Sequence, residues 1–309
     1  MCGPTAAGKT EIALALARRL DVRLISADSM QVYRGMDVGT AKPDADTLAR
    51  FPHALIDVRD PEQPYSAADF VRDATAEMRR AANTGRLPVL VGGTALYLRA
   101  LRWGLDRMPG ADPGIRRQLR RQAQRLGWPA LHDRLRELDP ASAARIRPND
   151  PQRIQRALEV CLASGRPASE FRRGRAADRL AGGLMVVVCP SDRRVLHHRI
   201  ESRFGAMIEG GLLDEAGRLM ARPGWHRELP AMRAVGYRQV IDHLLGEADR
   251  AGLERRAAAA TRQLAKRQLT AFRQWTGAMW YDPLNRTTND RIIKAVSRMG
   301  VGGGERSAG

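Results

Sequence analysis

Three cysteines in 309 residues, at Cys2, Cys161 and Cys189, are too few and too scattered for a disulfide framework or a zinc cluster, and they fit a reducing cytosol. Apolar runs are short as well. None approaches the roughly 20 residues that a bilayer-spanning helix needs, and no charged-then-apolar leader opens the chain. A cytoplasmic protein is expected, a monomer with no membrane partner. Lysine is scarce, occurring only at Lys9, Lys42, Lys266 and Lys294, so the formal net charge of +18 is carried almost entirely by arginine. Such a charge points to a polyanionic partner, nucleic acid ahead of a membrane surface. A genome-wide bias toward arginine would raise the charge too, so position has to decide. No internal repeat is visible.

What the chain does have is Gly3-Pro4-Thr5-Ala6-Ala7-Gly8-Lys9-Thr10, a complete G-x-x-x-x-G-K-[ST] phosphate loop. Its glycines let consecutive backbone N–H groups turn inward around a diphosphate, Lys9 adds a point charge, and Thr10 offers a hydroxyl to Mg2+. Ile12 to Ala17 forms the helix that receives the phosphate at its positive end. Only Met1 and Cys2 precede Gly3, so the apolar strand that normally feeds such a loop is missing. A sheet without that central strand is expected to expose apolar surface and unpaired edges, and a start assigned too far downstream would explain the gap.

Short apolar runs at Val22 to Ala27, Ala54 to Asp57, Pro88 to Val91 and Leu184 to Cys189 alternate with amphipathic stretches, the pattern of a parallel α/β sheet. Ligands gather at the carboxyl ends of such strands, which directs attention to Asp28-Ser29-Met30-Gln31, Asp57 to Asp60 and Gly92-Gly93-Thr94. From Asp112 to Arg175 the strand signal gives way to helices punctuated by Asp112-Pro113, Gly127-Trp128-Pro129, Asp139-Pro140 and Asn149-Asp150-Pro151. Asp150-Pro151 is a helix start, a capping carboxylate followed by proline at the first helical position, and it sets Arg153 and Arg156 on one face. A long helix is expected from Leu253 to Trp275, with Arg255, Arg262, Lys266 and Arg273 in one basic stripe.

The expected fold is therefore α/β, a P-loop NTPase-like parallel sheet core with an inserted helical domain and no first strand before the loop. The expected divisions are a core part over 1–112, a helical insertion over 113–177, a second core part over 178–299 and a disordered tail over 300–309.

Asp28 directly follows the Val22 to Ala27 run, where a carboxylate could hold magnesium or take a proton from a hydroxyl. A small-molecule or nucleotide kinase with ATP in the loop and Asp28 as base is one reading. It leaves the basic helices unexplained. A separate acid after a long apolar run, the usual second metal ligand of such kinases, is also lacking, because Val89-Leu90-Val91 leads into Gly92-Gly93-Thr94.

Five ordered blocks resemble another family. They are Gly3 to Thr10 with Ile25 to Pro43; Leu90 to Thr94; Asn149-Asp150-Pro151-Gln152-Arg153; Arg233 to Gln239; and Thr261 to Thr270. Together they run through nearly the whole chain, and the chain resembles the bacterial tRNA dimethylallyltransferases, the tRNA isopentenyltransferase family. The resemblance implies transfer of a dimethylallyl group from its diphosphate to N6 of the adenosine at position 37 of tRNA, beside the anticodon, with release of diphosphate and with Mg2+ as cofactor.

Residue by residue, it makes Asp28, Thr5 and Arg203 catalytic, and Gly3, Pro4, Thr5, Ala6, Ala7, Gly8, Lys9 and Thr10 the diphosphate cradle, with Thr10 on the metal. It assigns tRNA contact to Asp28, Ser29, Met30, Gln31 and Thr94, to Gln152, Arg153, Ile154, Gln155 and Arg156, and to Arg233, Ala234, Val235, Gly236, Tyr237 and Arg238. The last block is Lys266, Arg267, Gln268, Leu269, Thr270, Ala271, Phe272 and Arg273, with Arg116 in the insertion a weaker candidate. Two positions depart from the family pattern. Ala7 replaces a commoner serine in a loop that binds through its backbone, and Ala271 stands where tryptophan is usual, so an aromatic contact would fall to Phe272 or Trp275.

Overall fold

The computed structural model describes residues 1–172 and 177–301. In chain order the helices of the first stretch are α1 (Lys9–Ala17), α2 (Ala45–Arg50), α3 (Ala67–Asn83), α4 (Ala95–Trp103), α5 (Pro113–Leu138), α6 (Pro140–Ala143) and α7 (Pro151–Ser164). After it come α8 (Arg193–Glu209), α9 (Leu212–Met220), α10 (Tyr237–Leu244), α11 (Arg250–Arg273) and α12 (Thr288–Val301). The strands are β1 (Val22–Ser26), β2 (His53–Ala54), β3 (Leu87–Val91), β4 (Val186–Val188) and β5 (Met279–Tyr281). The result is α/β, with a small parallel sheet among many helices.

Two compact units divide the chain. One comprises Met1–Arg102 together with the residues from Leu180 on, and the other is Trp103–Arg179. In the first, β1 lies between β2 and β3, and β4 pairs with β5, every pairing parallel. Of the expected strands, the second is only two residues long because Leu55 and Asp57 adopt positive φ of 65° and 55°, which ends the extended run. β5, which sequence reading passed over, is three residues that pair in register with β4.

The first-strand expectation meets a specific outcome. Met1 and Cys2 lie between β3 and β4. The N-terminal ammonium donates to Leu90 O at 2.7 Å, Gly92 N–H donates to Met1 O at 3.3 Å, Cys2 N–H donates to Val186 O at 2.7 Å, and Val188 N–H donates to Cys2 O at 2.8 Å. Two residues thus join the three-stranded and two-stranded parts. Behind them is a cavity of about 210 Å³ walled by Met1, Leu16, Leu90, Val186, Ile292 and Met299. The ammonium sits against this apolar space, and burial pushes its pKa down. The core around the joint is aliphatic: Ile12, Leu16, Leu24, Val91, Val186, Val188 and Ile292 are all buried.

Local chemistry accounts for the helices that matter most. Ser66 and Asp69 close a reciprocal capping box at the start of α3. Asp150 accepts from Arg153 N–H at 3.1 Å ahead of Pro151, as the sequence indicates. α11 is capped by Asp249, whose carboxylate accepts from Gly252 N–H at 2.6 Å, and runs from Arg250 to Arg273. Gly127, at φ 81°, kinks α5 ahead of Pro129.

The Trp103–Arg179 unit has its own core of Leu119, Leu131, Leu135, Ile146, Ile154 and Leu158. Asp139 is fully buried in it, bonded to Ser142 N–H at 2.9 Å and Ser169 N–H at 2.8 Å. At the other end of the chain α12 extends through residues 300 and 301, and the rest of the expected tail, 302–309, lies outside the described residues.

Candidate active site

Gly3 leads the chain out of the β3–β4 joint and into the loop. Its φ is 155°, and a Cβ there would meet Val188 O at 2.1 Å, so only glycine lets the backbone pass. Ala6 adopts φ 61° and Gly8 φ 86°, which turns the loop over the N-terminus of α1. The loop floors a pocket of about 540 Å³ whose walls include Asp28, Gln31, Gly93, Arg199, Arg203 and Gln268. The sequence-derived residues Thr5 to Thr10, Asp28, Gln31 and Arg203 therefore converge on one space.

Lys9 is folded back over the loop, its Nζ donating to Pro4 O at 2.6 Å. Burial lowers its pKa to about 8; the nearby Asp28 charge opposes that fall and Arg203 adds to it. Arg203 donates to Thr40 O at 3.4 Å, and burial lowers its pKa too, with Asp28 again opposing. Asp28 follows β1 and accepts from Met30 N–H at 2.9 Å through Oδ1. Its charge is thus felt by both cations.

Arg199, one turn ahead of Arg203 on α8, also lines the pocket, and a Cβ on Gly8 would lie 3.7 Å from its Nη1. Sequence reading missed it; the signal was the four-residue spacing to Arg203. Three cations against Asp28 and Glu11 leave the pocket suited to a polyanion.

The donor set can be compared with a magnesium ion. Thr10 is exposed at the wall with its hydroxyl unengaged, and Asp28 has a carboxylate oxygen to spare. No group of three or more His, Cys, Asp or Glu side chains that could hold a metal occurs among the described residues. The Thr10 hydroxyl and the spare Asp28 oxygen are hard oxygen donors of the kind that would suit a Mg2+ carried in on phosphate oxygens and keeping several waters.

The residues assigned to tRNA divide by burial. Ser29 N–H donates to Thr94 Oγ1 at 2.9 Å, so these two are brought together beside Asp28. Gln31 points inward, its Nε2 reaching Thr40 O at 3.5 Å and Ala41 O at 3.4 Å while its Oε1 accepts from Ser26 Oγ at 3.0 Å. On α11, Lys266, Arg267, Thr270 and Arg273 are exposed, whereas Leu269 and Phe272 are in the core. Arg262, part of the expected stripe, is paired with Glu201 at 2.5 Å. Arg233 and Arg238 are exposed, while Ala234, Gly236 and Tyr237 are buried. On α11 the buried members follow from helical spacing, since a contiguous block on a helix must turn part of itself inward, whereas Ala234 and Gly236 are buried in the turns ahead of α10.

In the Trp103–Arg179 unit, Gln152 and Arg153 are exposed and Ile154 is fully buried. Arg116 and Arg156 are both held by the buried Glu159 carboxylate, at 2.7 Å and 2.8 Å, so neither is a free cation.

Glu215 is a further residue that sequence reading missed. It is 2% exposed, and its carboxylate accepts from the N–H groups of Asp37, Val38 and Gly39 at 2.9, 2.8 and 3.1 Å and from Tyr237 Oη at 2.5 Å. This carboxylate fixes the 37–41 loop whose carbonyls hold Arg203 and Gln31.

A protein of Hahella chejuensis named tRNA dimethylallyltransferase 2 is 50% identical over 97% of this chain and 93% of its own length. The solved structure of a full-length tRNA isopentenylpyrophosphate transferase from Bacillus halodurans is 37% identical, with a TM-score of 0.70 over 97% of this chain and 95% of that one. A eukaryotic dimethylallyltransferase solved acting on tRNA, at 22% identity, shares the fold with a TM-score of 0.75 over 97% of this chain and 78% of its own. The sequence profile of the IPP transferases matches residues 31–275, and the chain belongs to that family.

Proposed function

We propose that this chain is a tRNA dimethylallyltransferase that moves the dimethylallyl group of dimethylallyl diphosphate onto N6 of the adenosine beside the anticodon. The observation that carries the reading is the placing of Asp28 in one pocket with the phosphate loop, Lys9 and Arg203. The loop, which runs from the joint between β3 and β4 into α1, is read as a P-loop NTPase-like cradle put to a different use.

The chemistry divides between two ends of the pocket. As the donor's C–O bond breaks, negative charge builds on diphosphate, and loop N–H groups, Lys9 and Arg203 meet it. Mg2+, when bound, would add a Lewis acid at the same phosphate oxygens, with Thr10 as its protein ligand. The attacking N6 amine is a weak nucleophile because its lone pair is delocalised into the ring. Asp28, with one oxygen fixed by Met30 N–H, accepts the proton that N6 gives up as its bond to the prenyl carbon forms. A base in a structured loop has to leave its stack to reach this pocket, and the exposed cations Lys266, Arg267 and Arg273 on α11 and Arg233 and Arg238 are the proposed grip on the surrounding backbone.

Incubating the protein with unmodified tRNA, dimethylallyl diphosphate and Mg2+, then resolving the nucleosides by mass spectrometry, tests the reading. The expected product is N6-dimethylallyl adenosine. Absence of that product from folded protein, or phosphate transfer from ATP to a small acceptor in its place, would overturn it. The kinase reading explains the loop but not the family match.

Lys9 supplies a pH test. Its pKa in the free protein is about 8, and bound diphosphate raises it. Well below pH 8 the ammonium is already charged, and Lys9 adds no slope of its own to the affinity. As pH rises above 8, binding has to take up a proton, and affinity for inorganic diphosphate should fall by up to about tenfold per pH unit. Calorimetry in two buffers of different ionisation enthalpy should show more proton uptake at pH 9 for wild type than for Lys9→Arg, whose guanidinium stays charged, and a much smaller difference at pH 7.

A further inference from the structure

Gln268 falls in the block assigned to tRNA, yet it does not face outward. It shares the inner face of α11 with Ala265 and Leu269, which pack with Leu196 and Ile200 of α8 and with Ala6 of the loop. Its side-chain amide is used at both ends. Oε1 accepts from Thr5 N–H at 2.9 Å, and Nε2 donates to Gly93 O at 2.8 Å. One donor partner and one acceptor partner fix the orientation of the amide.

A second observation concerns Gly93. A Cβ built there would stand 2.4 Å from Gln268 Nε2, so the missing side chain is the space the amide occupies.

We infer that Gln268 is a positioning residue for the phosphate loop, clamping Thr5 to the turn after β3 so that the Thr5 hydroxyl and the later loop N–H groups face the diphosphate. The inference deepens the proposed function and rests on it for the identity of the donor. The Thr5 N–H is thereby committed to protein, and the phosphate-binding N–H groups are those that follow it. The outer face of the same helix presents Lys266, Arg267, Thr270 and Arg273. The block therefore splits by face, with RNA outside and loop inside.

Binding of inorganic diphosphate, with no RNA present, tests this without requiring turnover. Gln268→Ala should weaken diphosphate about tenfold and raise the donor KM, the scale expected for losing a two-ended hydrogen-bonded clamp, with the Kd for tRNA within about twofold of wild type. Gln268→Glu, nearly the same size, keeps an acceptor for Thr5 N–H but turns an anion on Gly93 O, and should lose a similar factor. Gly93→Ala should weaken diphosphate by itself and add little in the Gln268→Ala background, because both changes break one contact.

Three results would overturn the inference: a loss confined to tRNA binding, unchanged diphosphate affinity in folded variants, or independent multiplying effects in the double variant. Should wild type bind diphosphate but transfer no prenyl group, the proposed function fails while the clamp is still measured.

Discussion

Asp28→Asn is expected to lower the single-turnover rate of prenyl transfer by two to four orders of magnitude, roughly the span that a positioned general base contributes, with the Kd for unmodified tRNA held within about twofold. The substitution is nearly isosteric, and an asparagine oxygen can still accept from Met30 N–H, which Asp28 holds at 2.9 Å. What disappears is the basic oxygen. The Asp28 charge also raises the pKa of Lys9, so its removal lets that pKa drop below about 8. Rates should therefore be compared across a range of pH, so that a shift in Lys9 ionisation is told apart from loss of the base. A loss of tRNA affinity as large as the loss of rate would make Asp28 a binding residue and not a base.

Glu215→Ala should cost about 3 kcal/mol of stability and should cripple turnover as well. Removing this carboxylate strands the N–H groups of Asp37, Val38 and Gly39 and the hydroxyl of Tyr237, all of which it now satisfies. Breaking one partner of a buried charged network leaves the others unpaired, and each bond to a charged acceptor counts for more than a neutral one. For a domain of this size that is a fall in Tm of several degrees. The effect on activity runs through the 37–41 loop, whose Thr40 carbonyl accepts from Arg203. Glu215→Gln retains one acceptor oxygen but points an amide at backbone donors, so it should fall between wild type and Glu215→Ala. Thermal melts and single-turnover rates on both variants check this; a stable, inactive Glu215→Ala would show that the loop is not what Glu215 holds.

The comparison of sequence with structure turns on what kind of signal each residue leaves. The phosphate loop and Asp28 were legible because their chemistry is local: glycine at fixed offsets, and an acid where a buried run ends. Arg203 was carried by family likeness, and its neighbour Arg199 needed only the helical repeat. Glu215 left no such trace. Its three backbone partners lie far away in sequence, and an acid on a short helix reads as a solvated charge until the fold delivers the 37–41 loop to it.

Gln268 illustrates a different limit. The block Lys266 to Arg273 was recognised as a unit, but a block on a helix has two sides, and only the packing against Leu196, Ile200 and Ala6 says which side is which. Short strands were the weakest part of the reading. Three residues at Met279–Tyr281 form a strand only because β4 waits beside them.

The two residues between β3 and β4 carry a consequence for how the molecule fails. In most enzymes a durable core and a yielding site can be perturbed separately. Here the only hydrogen-bonded seam joining the two parts of the sheet among the described residues is the backbone of Met1 and Cys2, and the loop starts at the next peptide, where Gly3 threads past Val188. Any excursion that unzips the seam also spills the loop. Endurance of the scaffold and competence of the catalyst are in this chain a single property, because the seam and the loop are one continuous backbone.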